Sequence, residues 1–144
     1  MNTLTERSVS RAAPANAASR AAGIAAWTAT GVFAAVMTVS GVSFLLGPRP
    51  IVTMLQHLGY PPYVRALLGT AKLLGVAALL IPGLRTLREW AYAGFSILLA
   101  GAISSHLLSG DGAPRALPAA ILWALLLASH QLRRRASERE GAHD

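Results

Sequence analysis

Ile24–Leu46 reads IAAWTATGVFAAVMTVSGVSFLL, inside a stretch from residue 21 to residue 48 that carries no charged side chain. Crossing the hydrocarbon core of a bilayer takes about 20 predominantly apolar residues in a helix, and this run is long enough. A secretory leader has an apolar region of only about 7–15 residues. The run here is longer, ends in no convincing cleavage site and is followed by further apolar runs. It is therefore read as a retained first membrane helix over 24–46.

Three later segments repeat the pattern. They are Tyr63–Ile81, Trp90–Leu108 and Leu117–Leu132, and residues 66–84 hold no charge except Lys72. Pro82-Gly83 ends the second span, because neither residue continues a helix well. Ser109–Pro114 is a turn cluster between the third and fourth. Pro118 is expected in the first turn of the fourth, where a missing N–H costs nothing. Pro48–Leu58 is too short to span, but Ile51, Val52, Met54, Leu55 and Leu58 recur at helical spacing. It reads as a short amphipathic helix lying in the interface or over the bundle mouth. Gly59-Tyr60-Pro61-Pro62 breaks it.

The fold class expected is all-α, an integral membrane four-helix bundle with a short interfacial helix between spans one and two. The organisation expected is a flexible basic N-terminal tail over 1–22, the membrane domain over 23–132 and a charged C-terminal tail over 133–144. The composition agrees. The 144 residues are 53% hydrophobic, contain no cysteine and are only 13% charged, against roughly 25% in soluble proteins. That excludes a soluble multi-domain enzyme, a disordered chain and a disulfide scaffold.

A net charge of +7 does not imply nucleic acid, since the basic residues sit in tails and short loops as membrane topology requires. Four spans place both termini on one side. That side holds Arg7, Arg11, Arg20, Arg85, Arg88, Arg133, Arg134, Arg135 and Arg139, against Arg49, Arg65 and Arg115 on the other. The positive-inside rule then puts both termini in the cytoplasm. The arginines of 133–139 read as this topology signal, or as a contact with anionic headgroups. Trp27, Trp90, Tyr60 and Tyr63 fall near span ends, as an aromatic belt does, while Trp123 lies deeper.

Small residues let membrane helices approach closely. Ala116, Ala120, Ala124 and Ala128 form a stripe on span four, Gly31 and Ala35 stand on span one, and Ala93, Gly101 and Ser105 on span three. They are expected to be packing faces, or alternatively a surface for a partner or a flat lipid such as a quinone.

Lys72 is the most informative polar residue. A charge at a span centre costs about 2.5–3.5 kcal/mol on insertion scales and faces the bundle interior. Glu89 is the one acid at a span edge on the inner side, too far along the axis for simple contact with Lys72 and closer to Arg85 or Arg88. His106 lies near the outer end of span three, at heptad spacing from Leu99 and Tyr92 and beside Ser104 and Ser105. It is a candidate proton-exchange group, and His57 on the same side completes a candidate outer cluster. His130 reads as an interfacial residue at the inner end. The ligand and proton-relay candidates are thus Lys72, His106, Glu89, Tyr92 and His57. No metal motif, paired carboxylates, Gly-rich phosphate loop or thiol is present. His106 and His130 stand at opposite ends, unlike two haem ligands. No metal and no covalently bound cofactor is expected, nor catalysis by this chain alone.

Ser40-Gly41, Leu58-Gly-Tyr-Pro61, Gly69-Thr-Ala-Lys-Leu-Leu-Gly75, Glu89-Trp-Ala-Tyr-Ala-Gly-Phe95, Gly101-Ala102 with Ser105-His106, and Gly110-Asp111-Gly112 follow one another in order. This set resembles the DoxX-like family of small four-span membrane proteins, over about residues 25–132. The resemblance implies a membrane four-helix bundle, often in the bacterial inner membrane, with termini inside. It also implies association with membrane redox complexes, since the family name comes from a subunit of a thiosulfate:quinone oxidoreductase. Lys72, Glu89 and His106 fall on the family's recurrent polar positions. The chain departs from the family where a basic residue often follows Ser-Gly of span one, here Phe44, and where many members carry an acid in span three, here Leu98.

The function expected is therefore that of a non-catalytic small subunit or assembly factor of a quinone-linked membrane redox complex. Its partners would be the lipid bilayer and a membrane oxidoreductase, or a second copy of itself. Small-solute transport by an oligomer and a purely structural membrane scaffold are the alternatives.

Overall fold

The computed structural model describes the backbone of residues 3–141 and the side chains of residues 20–135. The described residues fold into five helices, α1 (Thr3–Leu46), α2 (Arg49–His57), α3 (Pro62–Leu80), α4 (Arg85–Leu108) and α5 (Ala113–Gly141). Within the described residues there is no strand. Four segments are long and apolar enough to cross a membrane: Arg20–Leu46, Pro62–Leu80, Arg85–Leu108 and Ala113–Arg135.

Proline sets two of the starts. Pro48 and Pro61 are the extended N-cap residues of α2 and α3, and a further proline stands in the first turn of each, where its fixed φ is already helical. Pro118 differs from expectation. Because α5 starts at Ala113, Pro118 lies past the first turn and inside the helix. Over the segment expected to be a flexible tail, the backbone of α1 is helical from Thr3. Alanine is the strongest helix former, and Ala12, Ala13, Ala15, Ala17, Ala18, Ala21 and Ala22 populate this segment. The helical backbone of α5 likewise runs through most of the 133–144 tail. Residues 1–2 and 142–144, and the side chains of 1–19 and 136–144, lie outside the described residues.

The four long helices form a ring in which α1 packs on α3 and α5, and α4 packs on α3 and α5, while α2 rests on α3. At the centre Phe33 of α1 meets Phe95 of α4 edge-to-face across the ring, with centroids 5.0 Å apart. Met37, Val76, Leu79, Tyr92, Leu99 and Leu126 surround this pair. The opposite faces are apolar too: Val39, Leu74, Ile97 and Leu108 are among many large hydrophobic side chains pointing away from the bundle. A chain that is apolar inside and out has lipid as its natural solvent.

Backbone meets backbone between α1 and α3. A Cβ added to Gly69 of α3 would lie 2.9 Å from Leu45 Cγ and 3.0 Å from the Gly41 carbonyl of α1. The stripes of small residues expected to pack do so only in part. Gly31, Ala35, Ala93, Gly101, Ala124 and Ala128 are exposed, and only Ala116 of the span-four stripe is buried. The buried face of α5 instead follows Ala116, Leu126 and Ser129, with Ala119 and Trp123 partly covered. A spacing of four drifts off the heptad seam that antiparallel bundles use.

Gly69→Ala is expected to destabilise the bundle by about 1–3 kcal/mol through overpacking. Gly31→Ala, whose added Cβ would meet nothing within 4 Å, should be neutral or stabilising by up to about 1 kcal/mol from helix propensity. Unfolding by steric trapping in bicelles compares the two, and equal costs would contradict the close contact between α1 and α3.

Candidate functional site

Two helix ends of the same design build the end of the bundle at which α2 lies. After α2, Gly59 takes φ +77°, its N–H bonds the Gln56 carbonyl and the Tyr60 N–H reaches back to Leu55. After α4, Gly110 also takes φ +77°, its N–H bonds Leu107 and the Asp111 N–H reaches back to His106. Both are Schellman motifs, in which the residue after the left-handed glycine lies against the residue five before it. That contact is usually hydrophobic. At the end of α4 it is a polar one, a hydrogen bond from His106 Nδ1 to Asp111 Oδ2 at 2.7 Å.

Asp111 gathers this end of the molecule. Its other oxygen, Oδ1, accepts from His57 Nε2 at 2.9 Å and from Arg115 Nη1 at 2.9 Å. One carboxylate thus ties α2, α4 and α5 together. An ionised carboxylate only accepts, so it fixes the proton on Nδ1 of His106 and leaves Nε2 as that ring's unbound nitrogen. The hydrogen bond from His106, then those from His57 and the charge of Arg115, hold the Asp111 carboxyl below its ordinary value of 3.8, against the opposing effect of partial burial.

The second polar centre lies deep in the bundle. The Lys72 side chain is buried. Its Nζ donates to Ser40 Oγ at 2.9 Å and stands 3.5 Å from the centroid of the Phe44 ring. The two supports come from one face of α1, four residues apart. The ammonium sits over the aromatic face as a cation–π pair, and among the described residues no acid pairs with it. The departure at Phe44 thus gains a physical role, since the ring covers the charge where a second cation would repel it.

Both centres open on one groove. A cavity of about 350 Å³ between α2, α3 and α4 has Lys72 towards the bundle centre and Tyr60, Ser105 and His106 towards the α2 end. Leu68, Leu98 and other apolar side chains form its walls. Gly94 and Gly101 lie on it with open space where a Cβ would stand. The Tyr60 hydroxyl and Ser105 Oγ are hydrogen-bonded at 2.6 Å. From Gly94 to His106 the groove follows α4 for about 18 Å at 1.5 Å per residue.

The five candidate residues divide accordingly. His57 and His106 are brought together through Asp111, and His106 shares the groove with Lys72. Tyr92 and Glu89 belong to the opposite end. Tyr92 donates to Ser129, which donates to Thr30, which donates to the Ala26 carbonyl; this order follows because each hydroxyl has a single proton. Glu89 does not pair with Arg85 or Arg88 as expected. It lies 3.3 Å from His130 Nε2, and the His130 ring packs on Tyr92 at 4.6 Å. Arg88 instead donates to the Ile81 carbonyl. Sequence reasoning missed Asp111, Tyr60, Ser40 and Thr30. For the first two a signal existed, because each follows a glycine that ends a helix.

These features define a small integral membrane protein whose bundle encloses a lone lysine and a lipid-accessible apolar groove. The model of the DoxX-like family matches residues 28–129, and the chain belongs to that family. No curated protein and no solved structure matches it significantly.

A carboxyl with a lowered value in the folded chain stabilises the fold at pH above its ordinary value, and this contribution is lost as the pH falls through the lowered one. The wild-type protein should therefore lose thermal stability on acidification below 3.8. Asp111→Asn should be less stable near neutrality and lack this acid-dependent loss. Melting of both proteins in detergent across that range provides the check, and parallel curves would remove Asp111 from its role.

Proposed function

We propose that this DoxX-like protein is a non-catalytic small subunit or assembly factor of a quinone-linked membrane redox complex, with quinone lodged in the groove between α3 and α4. The observation that carries the reading is the groove itself, which joins a buried cation to a histidine–carboxylate pair along a lipid-facing apolar channel. The donor set suits the ligand. A flat ring with carbonyl oxygens and a long apolar tail needs hydrogen-bond donors on the ring and apolar walls beside it, and the two exposed glycines leave a cradle that a side chain would fill.

When bound, a quinone supplies the uptake and release of electrons and protons. The chain's own residues hold it and serve its protons. Lys72, fixed by Ser40 and Phe44, donates towards a carbonyl oxygen. His106, whose Nδ1 proton is anchored on Asp111, has Nε2 free to accept or return a proton at the groove. Tyr60 and Ser105 add a hydroxyl pair next to it. Electrons would reach the groove from an oxidoreductase partner, because the described residues carry no redox group. The arginine-rich end, with both termini, would face the cytoplasm of a bacterial inner membrane.

The test is purification of the full chain in mild detergent from its native membrane, followed by quinone extraction and identification of co-purifying subunits. Wild-type protein should carry quinone and an oxidoreductase subunit. Lys72→Met should lose about tenfold to a hundredfold in quinone affinity, as removal of a charged hydrogen bond does, without loss of stability, since buried charges are often replaced at no cost. Gly101→Leu should block the groove while leaving helix packing intact. A partner-free, quinone-free wild-type protein, or variants that retain quinone as wild type does, would overturn the reading.

A further inference from the structure

We propose that the pocket at the opposite end of the bundle, between the start of α1's membrane segment, the first turns of α4 and the last turns of α5, is a binding site for a phosphate group. Arg85, Arg88, Arg133 and Arg134 line it together with His130 and Trp27. Among the described residues Glu89 is the one carboxylate on its wall, so four guanidinium charges against one carboxylate leave an excess of +3 there. The pocket holds about 530 Å³, within the range of about 300–1,000 Å³ typical of small-ligand sites.

The unmet hydrogen bonds of the molecule point to the same place. Among the described residues four buried side-chain nitrogens have no hydrogen-bond partner, and three of them, Arg88 Nε, His130 Nε2 and Arg133 Nη2, belong to residues of this wall. His130 Nε2 stands 3.3 Å from Glu89 but off the axis of a hydrogen bond. Buried donors are normally satisfied, so three unsatisfied ones around one basic pocket leave room for an acceptor-rich anion.

The arginines are also held in place. The Arg133 guanidinium stacks on Trp27 at 4.3 Å, and its Nε donates to Thr30 Oγ1 at 3.2 Å. Thr30 is fixed in turn by Ser129 and the Ala26 carbonyl. Arg88 is tethered by its bond to Ile81. Such pre-oriented planar forks match phosphate oxygens in a way lysine does not. No side chain caps the N-terminus of α4, whose dipole adds to the positive field. The lining residues fall at the ends of the membrane-length segments Arg20–Leu46, Arg85–Leu108 and Ala113–Arg135. That is the level at which lipid phosphates lie, although an inorganic phosphate offers the same oxygens.

Two arms separate the sources. In the first, the full chain is placed in nanodiscs of phosphatidylcholine alone or mixed with phosphatidylglycerol, and retained lipid is counted by native mass spectrometry. One phosphatidylglycerol per bundle should be held. The pair Arg88→Gln with Arg133→Gln should lower its retention by about tenfold or more, as loss of charged hydrogen bonds predicts. The exposed variant Arg134→Gln should weaken it without disturbing the fold, which covers the case in which the double variant unfolds. Arg49→Gln with Arg115→Gln, at the other end, should leave it unchanged.

In the second arm, melting in detergent is compared in sodium phosphate and in sodium chloride of equal ionic strength. Stabilisation by phosphate that is lost in Arg134→Gln, with no selective lipid retention, assigns the site to free phosphate. Equal retention of neutral and anionic lipid together with no phosphate effect overturns the proposal. So does an equal effect of the Arg49 and Arg115 changes.

Discussion

In the hydrocarbon core no water completes the hydrogen bonding of a polar side chain, so a charge inside this bundle must be supported by another part of the protein. Lys72 shows how strict this is. With no carboxylate in reach, its ammonium is held by one hydroxyl and one aromatic face, both from the neighbouring α1. That support requires α1 and α3 to lie close, and they do so where Gly41, next to Ser40, meets Gly69, one turn before Lys72. The glycines are therefore more than packing devices. They bring Ser40 and Phe44 within reach of the lysine, and the charge is tolerated because the helices touch.

The same constraint explains the difference between the two ends. At the α2 end one acceptor, Asp111, is shared by three donors, and the helix end places it there through backbone geometry alone. At the other end donors outnumber acceptors among the described residues. Thr30, Ser129 and Tyr92 form a closed chain of hydroxyls, but the arginines above them exceed what Glu89 and the nearby carbonyls take up. The α2 end is thus electrostatically closed by its own residues, while the opposite end keeps an excess of positive charge among the described residues.

The spans were legible in the sequence because lipid imposes a length and a polarity that a one-dimensional hydropathy pattern records directly. The importance of Lys72 followed from the same rule. What could not be read was who meets whom. Ser40 and Phe44 lie on a different helix from Lys72, and nothing in their spacing names α3 as their partner. The small-residue stripes misled for a related reason. Gly31 and Ala35 are as compatible with a lipid-facing surface as with a helix contact, because lipid neither repels nor rewards a small side chain. Asp111 looked like an ordinary turn residue, since its role depends on His57, which lies beyond two intervening spans.

Burial alone would make Lys72 a cost to the fold. A methionine of similar length would fill the same space without desolvating a charge. The structure nevertheless devotes Ser40 and Phe44 to the ammonium, and the cavity beside it runs unbroken to His106. Two exposed glycines keep that path open, although alanine at either position would favour the helix. Both features run against stability in the same groove. A purely structural bundle would have no reason to keep them together, whereas a bundle that receives a carbonyl-bearing lipid would need a fixed cation, a proton-exchanging histidine and the space between them.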